Sequence, residues 1–165
     1  MKKIRVGVIG LGFIGKQHVE ALRRLPYIEI VAGSDSNLSM REWCEKNGIQ
    51  KYYSDYKEML TNENMDVVHN CTPNNFHYEV SCEILKTGCH VYSEKPLTIK
   101  SVEGESLIEL ADKKGLKTAV NFNYRNNLMV QEIQQRIQNG RMGMISHIQV
   151  EYLQDWLVCE KKVSI

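Results

Sequence analysis

Lys3-Ile4-Arg5-Val6-Gly7-Val8-Ile9-Gly10-Leu11-Gly12-Phe13-Ile14-Gly15 opens the chain with a short apolar strand pattern that runs straight into G-x-G-x-x-G. Directly behind it, Ile14, His18, Ala21, Leu22 and Leu25 recur at helical spacing as far as Pro26. Strand, glycine turn and helix in that order are the context in which this motif carries meaning. Gly10 permits the tight turn, Gly12 lets backbone approach a pyrophosphate, and Gly15 lets the helix pack against the strand. The first-turn N–H groups and the positive end of the helix dipole then face an anion. A packed strand–turn–helix without any ligand is the competing reading. Asp35 weighs against it: it stands twenty positions after Gly15, at the end of the second strand, where a carboxylate accepts from ribose hydroxyls. The same carboxylate repels a 2′-phosphate, and Ser36 and Asn37 supply no arginine to hold one, so NAD is expected over NADP. Arg41, on the next helix, is the cation that would alter this preference.

Outward from this unit the pattern repeats. Strands are expected at Ile28 to Ala32, Lys51 to Tyr53, Asp66 to Val68, His90 to Tyr92 and Thr118 to Val120. Helices are expected at Leu38 to Asn47, Asp55 to Leu60, Phe76 to Thr87 and Ser101 to Lys114, three of them stopped by Gly48, Gly88 and Gly115. This rhythm implies parallel βαβ units: an α/β fold, a Rossmann-type doubly wound sheet binding its ligand along the strands' carboxyl edge. After Asn121 the character changes. Leu128 to Asn139 reads as a helix, and Ile145 to Leu153 alternates like a half-exposed antiparallel strand. The expected division is a Rossmann domain over 1–124 and, over 125–165, the incomplete start of an α+β C-terminal domain. One strand forms no sheet, so 145–153 predicts an edge that pairs between chains and makes a homo-oligomer.

Composition narrows the function classes. The chain has 165 residues, 42% hydrophobic and 25% charged, with a net charge of +1. Nucleic acid and anionic membrane are disfavoured, since both call for a concentrated basic face. The start resembles a signal peptide only superficially, because glycines interrupt its apolar run, and no stretch reaches transmembrane length. A cytoplasmic location is expected. Cys44, Cys71, Cys82, Cys89 and Cys159 form no C-x-x-C pair, so reduced thiols are expected and no metal site.

Two further constellations lie on the ligand edge. In Val67-Val68-His69-Asn70-Cys71-Thr72-Pro73-Asn74-Asn75-Phe76-His77 a buried strand enters a Thr-Pro turn. Thr72 and Asn74 either cap the next helix or line a cofactor groove. Glu94-Lys95-Pro96 follows the fifth strand. Its lysine is either an exposed loop residue or a proton donor and acceptor, and the following proline restricts its backbone.

Taken together, Gly10-x-Gly12-x-x-Gly15, Asp35, Cys71-Thr72-Pro73-Asn74-x-x-His77, Glu94-Lys95-Pro96 and Asn123-Tyr124-Arg125 give a chain that resembles the glucose–fructose oxidoreductase, inositol dehydrogenase and rhizopine-catabolism (Gfo/Idh/MocA) family over about residues 3 to 157. The resemblance implies an NAD(P)-dependent dehydrogenase acting on a secondary alcohol of a sugar or cyclitol. It implies that Gly10, Gly12, Phe13, Ile14 and Gly15 hold the pyrophosphate, that Asp35 holds the adenosine ribose, and that Thr72, Pro73, Asn74 and His77 line the groove. Glu94 is implied at the nicotinamide ribose, Lys95 both among the cofactor-binding residues and as the catalytic general acid/base, and Asn123 and Arg125 beside the carboxamide and substrate. Asp155-Trp156 looks like the end of the family's first substrate-domain strand. Family members are considerably longer and carry an Asp-x-x-x-His pair in a second domain that has no counterpart here, so the chain reads as truncated. His18 and His147 are expected to be structural rather than replacements for that histidine. An NAD-binding module without turnover is the alternative function.

Overall fold

The computed structural model describes residues 2–153, and the chain separates into two compact units, Met1–Phe122 and Asn123–Ile165. The first unit alternates strictly between strand and helix: β1 (Ile4–Ile9), α1 (Phe13–Arg23), β2 (Ile28–Ser34), α2 (Met40–Lys46), β3 (Lys51–Tyr53), α3 (Tyr56–Asn62), β4 (Val67–Asn70), α4 (His77–Lys86), β5 (His90–Ser93), α5 (Ser101–Lys114) and β6 (Thr118–Val120). The six strands pair in parallel in the order β3-β2-β1-β4-β5-β6. The chain leaves the centre in one direction through β2 and β3 and resumes beside β1 with β4. The carboxyl ends of β1 and β4 therefore flank the point where strand order reverses, which is where such sheets open a ligand crevice.

Alternating side chains divide the core into two layers. Val6 and Val8 of β1 join Leu11, Val19, Leu22, Cys44 and Ile49 beneath α1 and α2. Ile9, with Val68 and Val91, joins Met59, Ile84, Leu85 and Leu107 on the side of α3, α4 and α5. In β4 and β5 the same alternation buries Val68, Asn70, Val91 and Ser93 and leaves His69 and Tyr92 on the opposite face, where their rings stack with centroids 4.7 Å apart. Helix ends follow local chemistry. Asp55 caps α3 by accepting the Lys57 N–H at 2.8 Å, and α5 stops at Gly115, whose φ of 65° suits a left-handed C-cap. Among the described residues no helix is long and apolar enough to cross a membrane.

The second unit has a 3-10 turn (Asn123–Asn126) and α6 (Leu128–Gln138), capped by Asn127, which accepts the Met129 N–H at 2.9 Å. The strand expected over 145–153 is absent: these residues carry no ladder, and Ile148, Val150 and Leu153 are exposed. An extended segment becomes a strand only when a neighbour supplies backbone partners, and the described residues of this unit contain none. Asp155, Trp156 and Cys159 lie outside the described residues.

One buried carboxylate locks the far edge of the sheet. Glu63, just past α3, has a side chain 3% exposed. It accepts from Lys51 Nζ at 2.8 Å and from the Tyr53 hydroxyl at 2.6 Å, tying α3 to β3. Burial pushes the Glu63 carboxyl up, but the hydrogen bonds from Lys51 and Tyr53 and the lysine's charge more than offset this and hold it below its ordinary range. The hydrogen bond to Glu63, with burial, pushes the Tyr53 phenol up to about 12. A carboxylate whose native pKa is depressed contributes stability above its unfolded pKa and loses it as pH falls through the native value. Glu63→Gln is thus expected to cost about 1–3 kcal/mol at neutral pH. Its gap to wild type should narrow as pH is lowered through the carboxylate range, measured by urea denaturation across pH.

Candidate functional site

The glycine turn has three different reasons for its three glycines. Gly10 sits at φ 85°, and a Cβ there would lie 2.5 Å from the Cys71 carbonyl oxygen, so it needs both left-handed backbone and the missing side chain. At Gly15 a Cβ would fall 1.8 Å from the Gly10 carbonyl oxygen; only glycine lets α1 come this close to the end of β1. Gly12 differs, because a Cβ there would meet nothing within 4 Å. It is the N-cap of α1, with no side chain capping the helix. The backbone at Gly12 thus faces open space at an uncapped helix N-terminus, which is the cradle a pyrophosphate requires. Phe13 and Ile14 are exposed beside it, at 79% and 42%.

Asp35 stands just past β2. Its Oδ2 accepts the Leu11 N–H at 2.7 Å and its Oδ1 the Asn37 N–H at 2.8 Å, so it is anchored to the glycine turn itself. An ionised carboxylate has about four acceptor positions, which leaves capacity for ribose hydroxyls. Asp35 also borders a cleft of about 460 Å³ lined by Ile9, Gly10, Tyr56, Thr72 and Pro73 among others. Arg41 lies over the Tyr52 ring, 5.3 Å from its centroid, and Tyr52 in turn donates its hydroxyl to the Asp35 carbonyl at 2.6 Å.

The Thr72 turn is held from inside. Asn70, fully buried at the end of β4, donates through Nδ2 to the His77 carbonyl and to Ser81 Oγ, each at 3.0 Å. Its Oδ1 accepts the Thr72 hydroxyl at 2.7 Å. Thr72 therefore does not cap α4, contrary to one of the two sequence readings; its hydroxyl is drawn inward by a buried amide that needs a donor. Asn74 opens a 3-10 turn (Asn74–Phe76), and α4 starts at His77 without a side-chain cap. His77 is fully buried, its ring nitrogens facing the carbonyl oxygens of Pro96 at 2.5 Å and Thr72 at 2.7 Å. One imidazole thereby joins the Thr72-Pro73 turn to the loop after β5.

In that loop Glu94 is 8% exposed and its carboxylate points inward. Oε1 takes the Asn121 amide at 2.6 Å and faces His18 Nε2 at 2.9 Å, and Oε2 accepts the Lys95 N–H at 3.2 Å. Burial raises the Glu94 pKa, yet hydrogen bonds from Asn121, His18 and the Lys95 amide outweigh it and hold the carboxyl below its usual range. Burial, helped by His18, drops His69 to about 3, so that ring is uncharged. Lys95 is exposed on the carboxyl edge of the sheet, and its peptide bond to Pro96 is cis. Asn123 and Arg125 belong to the second unit, on its 3-10 turn.

Asn70, His18, His69 and Asn121 had no place among the residues expected at the site. Asn70 alone left a trace in the sequence, as an amide ending an apolar strand. Cys44 and Cys89 are buried, and Cys71 and Cys82 half-buried. Among the described residues no three acidic, histidine or cysteine side chains gather as a metal site.

Comparison with known proteins agrees with this geometry. The profile described as "Oxidoreductase family, NAD-binding Rossmann fold" (Gfo/Idh/MocA) matches residues 4–122. D-glucoside 3-dehydrogenase of Escherichia coli is 35% identical over 144 residues, 86% of this chain and 41% of its own length. Myo-inositol 2-dehydrogenase of Thermotoga maritima is 33% identical over 141 residues, 85% of this chain and 42% of its own. The WlbA dehydrogenase of Bordetella pertussis, solved with NADH and UDP-GlcNAcA, superposes with a TM-score of 0.81 at 29% identity, covering 87% of this chain and 42% of that one. The chain thus spans less than half the length of these relatives.

Gly12 and Gly15 separate binding from folding. Gly12→Ala, in ordinary backbone space, is expected to leave stability within ~0.5 kcal/mol. It should weaken NAD roughly tenfold, the equivalent of one charge-assisted hydrogen bond. Gly15→Ala should cost about 3 kcal/mol through overpacking. Thermal melts and calorimetric NAD titration check both.

Proposed function

Given that the chain belongs to the Gfo/Idh/MocA oxidoreductase family, with its NAD-binding Rossmann fold, we propose that it serves hydride transfer between NAD and a secondary alcohol of a sugar or cyclitol, with Lys95 as general acid/base. The observation that carries this reading is the gathering on one sheet edge of the open Gly12 backbone, the anchored Asp35 carboxylate and the exposed Lys95. Two relatives, whose names specify a glucoside and an inositol, supply the substrate class.

Bound NAD would supply the hydride acceptor. The chain's own residues would do the rest. The α1 N-terminus, from Gly10 to Gly15, would hold the pyrophosphate by N–H groups and dipole, and Asp35 the adenosine ribose by its remaining acceptor positions. Thr72, Pro73 and Asn74 would line the groove, with His77 bracing their turn from beneath. Lys95 would bind the substrate hydroxyl and, as the amine, take its proton as the carbon gives up hydride, leaving a ketone and an ammonium; in reduction the ammonium would return that proton. Glu94 would act on the nicotinamide side through the Lys95 peptide it holds.

A second reading, NAD binding without turnover, is supported by Lys95 having no side-chain partner among the described residues to orient it. Orientation supplies much of an enzymatic rate.

The test is NAD titration of this chain followed by steady-state NADH formation with a panel of inositols and hexoses. Saturable binding with turnover is expected, and Lys95→Met should lower kcat by roughly 10²–10⁴ while leaving NAD affinity nearly unchanged. Saturable binding without turnover on any compound favours the second reading. Absence of dinucleotide binding overturns both.

A further inference from the structure

Glu94 is held by donors from three separate places in the chain. His18, in the second turn of α1, and Asn121, just past β6, converge on Oε1, while the Lys95 N–H meets Oε2. The Glu94 N–H is itself bound to the Asn70 carbonyl at 2.9 Å. With the backbone pinned and one oxygen fixed by two donors, the carboxylate rotamer is set, and its second oxygen has one direction left. The Lys95 peptide lies in that direction.

Behind His18 the contacts close into a ring. His18 and His69 approach Nδ1 to Nδ1 at 2.9 Å. His69 stacks on Tyr92, and Tyr92 donates its hydroxyl to Asn121 at 2.9 Å. No buried side-chain nitrogen or oxygen among the described residues lacks a partner. A satisfied, partly buried network of this kind resists rearrangement, because each member that turns away strands another. Charged hydrogen bonds inside it exceed neutral ones in strength.

We infer that His18 is a positioning residue: through Glu94 it fixes the backbone of Lys95 and couples α1, the candidate pyrophosphate helix, to the orientation of the lysine. The inference rests on the proposed role of Lys95. α1 would carry the cofactor at its first turn and the Glu94 tether at its second, so one rigid helix would set the spacing between dinucleotide and lysine.

The experiment is amide hydrogen exchange by NMR on this chain, comparing wild type, His18→Ala and His18→Gln. Glutamine keeps an N–H near the place of Nε2. In His18→Ala the Lys95 amide is expected to exchange roughly tenfold faster, since its acceptor is released, while the amides of Val8 and Val91 keep their wild-type rates. His18→Gln should restore most of the Lys95 protection. A histidine that only filled space would change Lys95 and the core amides together and would not be rescued by glutamine; that result overturns the inference, as does a Lys95 amide indifferent to His18→Ala. Asn121→Ala removes the other donor to the same oxygen and covers the case in which His18→Ala does not fold. A faster Lys95 amide in that variant supports the tether, and an unchanged one overturns it. The proposed catalytic role fails separately: if Lys95→Met leaves turnover intact while its amide responds to His18→Ala, the tether stands and the role does not.

Discussion

No side chain fits between the start of α1 and the end of β1. The Gly15 backbone lies so close to the Gly10 carbonyl that a single added carbon would overlap it, and this contact fixes the helix against the sheet more tightly than apolar packing alone would. Much else in the first unit inherits that placement. Val19 and Leu22 reach the layer beneath β1 because the helix starts where it does. Gly12 is left facing open space, and His18 arrives within hydrogen-bonding distance of a carboxylate 76 residues further along. The approach is possible because Gly10 adopts a conformation unfavourable to other residues.

The carboxyl edge of the sheet is stabilised from within rather than by its exposed loops. Asn70 and His77 spend their polar atoms on the Thr72 turn, the first turns of α4 and the loop after β5, and neither reaches solvent. Loops ordinarily vary and move more than the elements they connect. Here the Thr72 turn and the loop after β5 are both seated against one buried imidazole, so a shift of either disturbs a ring that the other also contacts. The arrangement suits a surface that must present several groups at fixed separations.

How much of this was legible in the sequence depends on distance along the chain. The strand and helix rhythm, the glycine turn and Asp35 were readable, because each rests on local periodicity or on spacing within one βαβ unit. The Thr72 hydroxyl was misplaced by one of two local readings: capping needs only a few neighbouring residues, whereas the bond to Asn70 needs the strand to be buried first. His18, Glu94 and Asn121 lie far apart in sequence and meet only after five crossovers, so neither hydropathy nor turn chemistry links them. The segment 145–153 shows the complementary error. Its alternation is strand-like, but a ladder is a property of two segments, and one segment's pattern does not contain its partner.

Asp35 has a consequence beyond charge. Its two oxygens are already engaged by the Leu11 and Asn37 amides, and its own carbonyl by the Tyr52 hydroxyl. Immobilising a mobile side chain on association costs roughly 0.5–1.5 kcal/mol in rotamer freedom. For this carboxylate that loss has been taken during folding. Association at this end of the cleft would therefore draw its entropy cost mainly from the ligand, and the protein would contribute shape that changes little between free and bound states.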